Sequence, residues 1–263
     1  MKGLLSRAVT ISLAVLGSTA FADTPSTMSP EQQKQVEKVV HSYLVKNPEV
    51  IIESMQTLQQ KQMAQAQQTM KKTQGDAPKY ANALFHEASD PMVGNTSGKV
   101  VIVDFFDYQC PHCTSMTPVL EKLLAENNNL RIVFKEFPIR GALSEFASKA
   151  ALAAKNQGKY FEFHKALMQL STQQKLNEDS ILAAAKSVGL NVDKLKADMK
   201  SEAIAQQIKN TYKLAQNLQL MGTPAFFIAK ADVSPSVKPE AIVFIPGQVD
   251  NAQLKAVIEK IEK

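Results

Sequence analysis

Cysteine is nearly absent from this 263-residue chain: Cys110 and Cys113 are the whole thiol inventory, so no set of disulfides staples it and one chain cannot supply a four-cysteine zinc site. Tryptophan is missing altogether. Beyond the first 22 residues no stretch is apolar enough to span a bilayer. Charge of one sign is also scarce, since 30 Lys+Arg against 25 Asp+Glu leave only +5, and no nucleic-acid partner is expected from so weak an excess. What is present is apolar material, 44% of the chain, enough for one sizeable core and a smaller accessory unit.

The beginning of the chain reads as an address. Lys2 and Arg7 precede the short apolar stretch Ala8 to Leu16, and Ala20-Phe21-Ala22 has the small-x-small form of a cleavage site. Residues 1–22 are therefore expected to be a signal peptide cleaved near Ala22, the stretch being too short for a membrane anchor. The remainder is expected in the periplasm, an oxidising place where thiols normally end as disulfides.

Residues 23–74 read as a helical module. Ser29-Pro30-Glu31 is a helix start, and Val36, Val39, Val40, Tyr43 and Leu44 recur at helical spacing. Asn47-Pro48-Glu49 ends that helix and opens another, with a stripe through Ile51, Met55 and Leu58. Two such helices need a partner surface. Gly75 and Pro78 mark 73–78 as a linker.

From residue 75 onward the pattern alternates. Tyr80 to His86 suggests a strand and Asp90 to Gly98 a loop; Val100 to Phe106 is a buried strand, followed by a helix from Pro111 to about Glu126 and a second strand, Leu130 to Phe137. Strand, helix, strand is the crossover that builds a parallel sheet. Residues 142–220 read as a helical insertion, after which strands at Ala225 to Ala229 and Ala241 to Ile245 and a helix from Asn251 complete an α/β domain over 75–263.

Cys110-Pro111-His112-Cys113 falls where the first buried strand passes into a helix. A free thiol with a pKa near ~8.5 is only about 3% ionised at pH 7, and a helix N-terminus favours its anion. Cys110 is thus expected to be the exposed, acidic thiol, with a protonated His112 adding to the effect, and Cys113 the buried resolving thiol. Stabilising the thiolate stabilises the reduced form, which makes the pair an oxidant. A structural disulfide closing so short a loop would add little stability. A zinc site would need two ligands from His41, His86, His112 and His164, which lack metal-ligand spacing. No metal or cofactor is expected.

With these residues in view, Tyr80 to Lys263 resembles the DsbA branch of the thioredoxin superfamily. The likeness rests on the CPHC motif after its strand, on Gly222-Thr223-Pro224-Ala225-Phe226-Phe227, and on the helical insertion between them. It implies a thioredoxin-like fold and a cis Pro224 opposite the CxxC, with Thr223 offering its backbone to an extended substrate. It also implies that Asp104 is a buried acid assisting proton transfer at the buried thiol, with Lys135 on the neighbouring strand as its charged partner. Tyr43-Leu44 and Asn47-Pro48-Glu49-Val50-Ile51 resemble the N-terminal extension of a DsbA-like subgroup and imply a homodimer through residues 29–72. Pro111-His112 resembles disulfide donors, whereas Thr223 and the helical module resemble dimeric isomerases. The expectation is a homodimeric thiol:disulfide oxidoreductase that forms and rearranges disulfides. Its implied partners are unfolded or partly folded exported proteins with thiols, and a membrane redox partner that sets its oxidation state. A helical hairpin docked on its own catalytic domain, a holdase-type chaperone with incidental thiols, and a thioredoxin-like reductase are the alternatives.

Overall fold

The computed structural model describes residues 28–263; the expected signal peptide lies outside the described residues. Two compact units are present, one ending at Gln60 and the other running from Lys61 to Lys263. The division falls inside a helix, ahead of the boundary expected at 74.

In the first unit, α1 (Pro30–Lys46) opens with a capping box between Ser29 and Gln32 and with Pro30 at its first turn. α2 (Glu49–Asp76) follows at once. No residue of α1 is buried. Its stripe of Val36, Val39, Val40 and Tyr43 is exposed, as are Ile51, Ile52, Met55 and Leu58 at the start of α2.

The expected linker at 73–78 is helical, and Thr73, Ala77 and Pro78 in it are buried. α2 continues to Asp76 and a 3-10 turn, Ala77–Tyr80, succeeds it. The Thr73 hydroxyl donates to Leu218 O at 2.7 Å, and the Gln74 amide donates to Pro239 O at 2.7 Å and to Ile242 O while accepting from Phe244 N at 2.8 Å. Pro78 lies in the first turn of the 3-10 segment, where its missing N–H costs nothing, and a side chain at Gly75 would meet open space. Neither residue breaks the helix. The strand expected at 80–86 is likewise a helix, α3 (Ala81–Phe85).

The sheet contains β1 (Met92–Gly94), β2 (Val100–Phe106), β3 (Leu130–Glu136), β4 (Ala225–Lys230) and β5 (Ile242–Pro246), in the order β1-β3-β2-β4-β5. β2 and β3 run parallel, joined by α4 (Pro111–Glu126); the other pairings are antiparallel. β1, three residues long and set at the sheet edge, lies in the segment read as a loop. All seven residues of β2 are buried, as its uninterrupted apolar run requires of a strand covered on both faces. Val100, Ile102 and Phe106 face one core and Val101, Val103 and Phe105 the other.

Between β3 and β4 lies the helical insertion: α5 (Ala142–Lys155), α6 (Tyr160–Thr172), α7 (Glu178–Ser187), α8 (Val192–Asp198) and α9 (Glu202–Asn217). Five buried alanines of α5 (Ala147, Ala150, Ala151, Ala153 and Ala154) contribute to its packing against α6. α10 (Asn251–Glu262) closes the domain and buries Leu254, Ile258 and Ile261 against the first core.

Strand parity corrects one pairing expected from the sequence. Asp104 is in register with Phe134, whereas Lys135 is in register with Phe105 and shares its face. Asp104 and Lys135 therefore point to opposite sides of the sheet. Lys135 instead donates to Asp90 and to Ala83 O, in an ion pair whose side chains are each 3% exposed. Burial raises the pKa of Asp90, opposed by the Lys135 ammonium. Lys135→Ala should destabilise the fold by about 3–5 kcal/mol, because it strands a buried carboxylate. In denaturant titrations the loss should shrink as pH falls and the carboxyl takes up a proton, and Asp90→Asn combined with Lys135→Met should recover most of it.

Candidate active site

Cys110 is the N-cap of α4, with extended backbone, and Pro111 occupies the first helical position. This follows from the local sequence: proline at that position loses no helical hydrogen bond, and the cysteine before it is steered away from helical dihedrals. The Cys110 carbonyl accepts from the N–H of Cys113 at 3.0 Å and of Thr114 at 3.1 Å. Both cysteines are free thiols.

Cys110, expected exposed, is fully buried, because the loop bearing Thr223 closes over it. Its thiol donates to the Thr223 carbonyl at 3.3 Å, and the Thr223–Pro224 peptide is cis. Pro111 and His112 are exposed, while Cys113, one turn into α4, is buried.

The two sulfurs have opposite acidities. The Cys110 thiol is pushed down to about 4, first by a hydrogen bond from the Cys113 thiol and then, against the cost of burial, by the Thr223 hydroxyl and by the backbone N–H groups of Cys113 and His112. Burial first, then the bond it gives to Cys110, then the field of Asp104, push Cys113 far above its ordinary range. His112 is placed differently from expectation. Its Nδ1 donates to Gln248 Oε1 at 3.2 Å, and its help to Cys110 comes from its main chain.

Asp104 is buried at 3% exposure with no hydrogen-bond partner for Oδ1, and burial followed by the charge of Cys110 pushes its carboxyl up to about 8. With Lys135 on the other face of the sheet, nothing in that strand pair offsets this. Among the described residues no group of three or more His, Cys, Asp or Glu could hold a metal ion, and no helix is long and apolar enough to cross a membrane.

Beside the cis peptide opens a cavity of about 460 Å³, lined by Met70, Leu220, Met221, Thr223, Pro224 and Phe244 among others. Sequence reading missed Gln248 and the Met70 wall, which lie far from the motif along the chain. It also passed over Glu136, which is 2% exposed and shares the Asp104 face of the sheet. The signal for Glu136 was available: a second acid in an apolar strand.

The profile of the DSBA-like thioredoxin domain family matches residues 101–259, and that of the copper resistance protein ScsC N-terminal domain matches 32–65. A thioredoxin-like oxidoreductase from Silicibacter pomeroyi is 37% identical, with 68% of this chain and 95% of that one covered and a TM-score of 0.61. BcfH of Salmonella enterica Typhimurium is 30% identical, with 89% and 97% covered and a TM-score of 0.65. A Bacillus cereus protein named probable disulfide bond formation protein D is 24% identical over 158 residues, covering 56% of this chain and 73% of the relative. The chain spans about a fifth of the length of other curated relatives, Na(+)/H(+) antiporters such as NhaA 3 of Salinispora tropica, matched at 28% identity over 141 residues, 53% of this chain and 21% of the antiporter. With its CPHC turn facing a cis-proline loop and the family profile covering more than half its length, the chain belongs to the DSBA-like thioredoxin domain family.

Proposed function

We propose that the protein is a periplasmic thiol:disulfide oxidoreductase that forms disulfides in exported proteins and, from its reduced form, rearranges them. The observation that carries this reading is the acidity gap between two adjacent thiols beside the cis Thr223–Pro224 peptide: Cys110 pushed down to about 4, Cys113 pushed far up. In the oxidised protein a client thiolate attacks Cys110 Sγ, forming a mixed disulfide and expelling Cys113, which takes a proton through Asp104. A second client thiolate attacks the client sulfur, and Cys110 leaves as a thiolate. The client loses two electrons and two protons; the protein keeps the electrons and one proton, held at Cys113, the second proton goes to solvent, and a membrane redox partner removes the electrons. Thr223 and Pro224 hold the client segment beside Cys110, and the neighbouring apolar cavity receives its side chains.

Self-association through residues 29–72 supplies the partner surface for α1 and the start of α2, whose apolar stripe is exposed, Val39 at 67% and Met55 at 67%. A homodimer is the simplest closed assembly and places two redox pairs on one particle. The hydrogen bonds of Thr73 to Leu218 and of Gln74 to Phe244 support ending the arm before Thr73.

Cys110→Ser should abolish thiol exchange, and Cys113→Ser should accumulate mixed disulfides through Cys110; trapping through Cys113 instead would reverse the roles. Alkylation of Cys110 should be half-maximal near pH 4 and move upward in Cys113→Ala, which removes the leading hydrogen bond to the anion. A holdase would keep its activity without either cysteine.

Asp104→Asn should slow release of the mixed disulfide and stabilise the reduced fold. The carboxyl keeps its proton in the folded state up to about 8 but loses it near 3.8 when unfolded, so the native protein is progressively disfavoured as pH rises through that window. Thermal melts of the variant should therefore lose this pH dependence and gain most at the alkaline end.

Sedimentation of the mature chain should give an assembly, with Val39→Glu plus Met55→Glu releasing monomers that retain thiol exchange. A monomeric native mass for the unsubstituted chain would sink the dimer.

A further inference from the structure

Three consecutive side chains before Cys110 are tied to the β3 end and the helical insertion. Asp107 Oδ1 accepts from Gln109 N at 2.7 Å and from the Ser144 hydroxyl at 2.7 Å, and its Oδ2 accepts from Arg140 N at 2.9 Å. Gln109 Nε2 donates to Ser144 Oγ at 2.8 Å and to Arg140 O at 3.1 Å. Between them Tyr108 is fully buried, and its hydroxyl donates to Glu136 Oε1 at 3.1 Å. Cys110 N donates to Asp107 O at 3.1 Å, closing the turn that leads into the redox pair.

Glu136 is the centre of this arrangement. It ends β3 and, besides Tyr108, accepts from the Tyr160 hydroxyl at 2.8 Å on Oε1 and from the Ser148 hydroxyl at 2.7 Å on Oε2. His164 Nδ1 lies 3.1 Å from the Tyr108 oxygen, and since that hydroxyl gives its proton to Glu136, the imidazole is the donor. Ser148 lies on α5, Tyr160 and His164 on α6, so one carboxyl joins β3, two insertion helices and the residue two before Cys110. The titratable groups facing it are Asp107, Tyr108 and Tyr160; burial pushes Glu136 up to about 8 and pushes His164 down to about 3, neutral among Phe106, Phe134 and Phe161. Apolar residues of similar volume would hold these helices together without burying a carboxyl. The extra constraint falls on the direction of the Tyr108 side chain, and through it on the turn.

We propose that Glu136 is a positioning residue for the redox pair: acting through Tyr108, it fixes the Asp107–Cys110 turn so that Cys110 Sγ keeps its place against Thr223 and beside the hydrogen-bond donors at the first turn of α4. The insertion thus tunes the nucleophile without touching it. Such hydrogen bonds weaken steeply as their angle falls, so a small rotation of the turn is enough to lose them. The proposal rests on Cys110 being the acidic nucleophile.

The test compares Tyr108→Phe, Glu136→Leu, Glu136→Gln and Tyr160→Phe in the full chain, reading the pH profile of Cys110 alkylation and the equilibrium with reduced and oxidised glutathione. Tyr108→Phe and Glu136→Leu should raise the alkylation midpoint by about one pH unit or more, a loss of about tenfold in thiolate preference, and make the pair correspondingly less oxidising. Glu136→Gln, which keeps an acceptor for Tyr108, should restore most of the profile, and Tyr160→Phe should lower thermal stability while leaving the profile in place. Should Glu136→Leu fail to fold, Tyr108→Phe decides alone, since it removes one hydroxyl and leaves the ring. Cooperatively folded Tyr108→Phe with the unsubstituted midpoint overturns the proposal. The failures are separable: an unsubstituted protein without an acidic thiol overturns the reading of Cys110 and this proposal with it, whereas an acidic Cys110 indifferent to Tyr108 and Glu136 overturns this proposal alone.

Discussion

The acidity of Cys110 depends on where its neighbours' hydrogen atoms point. The leading contributors are neutral donors: the Cys113 thiol, then the Thr223 hydroxyl, then two backbone N–H groups at the start of α4. A cation would attract the thiolate from many directions, but neutral donors act only along their bonds. The fold must therefore hold the strand-to-helix turn, the first turn of α4 and the cis-proline loop in fixed register. β2 and β4 are adjacent and antiparallel, which brings Thr223 and Pro224, just before β4, against the residues just after β2. The buried sheet is the reason two segments more than a hundred residues apart meet at one sulfur.

The same geometry divides the labour between the thiols. A hydrogen bond from Cys113 to Cys110 favours one anion and disfavours the other, so a single contact widens the gap from both sides. Asp104 adds to it, since a buried carboxyl facing this pair opposes further negative charge at Cys113. Its own proton is retained first because the carboxyl is buried and then because Cys110 carries negative charge nearby. The site therefore favours one negative charge, on Cys110, and keeps protons at Cys113 and Asp104.

Much of this was legible in the residues. The apolar run of β2, the CxxC at the following helix start, the second parallel strand and the helical stretch after it are patterns along the chain, and they specify the α/β arrangement and the position of the thiols. Burial of Cys110 was not legible, because what covers it arrives from Thr223, and neither was the reach of His112 to Gln248. Lys135 shows where a strand pattern misleads. Its place on the neighbouring strand and the family resemblance imply a pair with Asp104, but once the strands are registered in parallel, alternation sends the two side chains to opposite faces and brings Glu136 to the Asp104 face instead.

Composition and packing place boundaries differently, and α2 shows why. Glycine and proline at positions 75 and 78 signal a break, yet neither sits where it costs a hydrogen bond, and the side chains of Thr73 and Gln74 make that stretch part of the sheet's surroundings. The Gln74 amide both donates to and accepts from the backbone of edge strand β5, the role a neighbouring strand would fill, and it blunts an edge that would otherwise be open to pairing. Met70, one turn earlier on the same helix, lines the cavity beside the cis peptide. The helix that begins with an exposed apolar stripe thus ends as a wall of the cavity beside the cis peptide, and the division between the two compact units lies within a secondary-structure element that no local breaker marks.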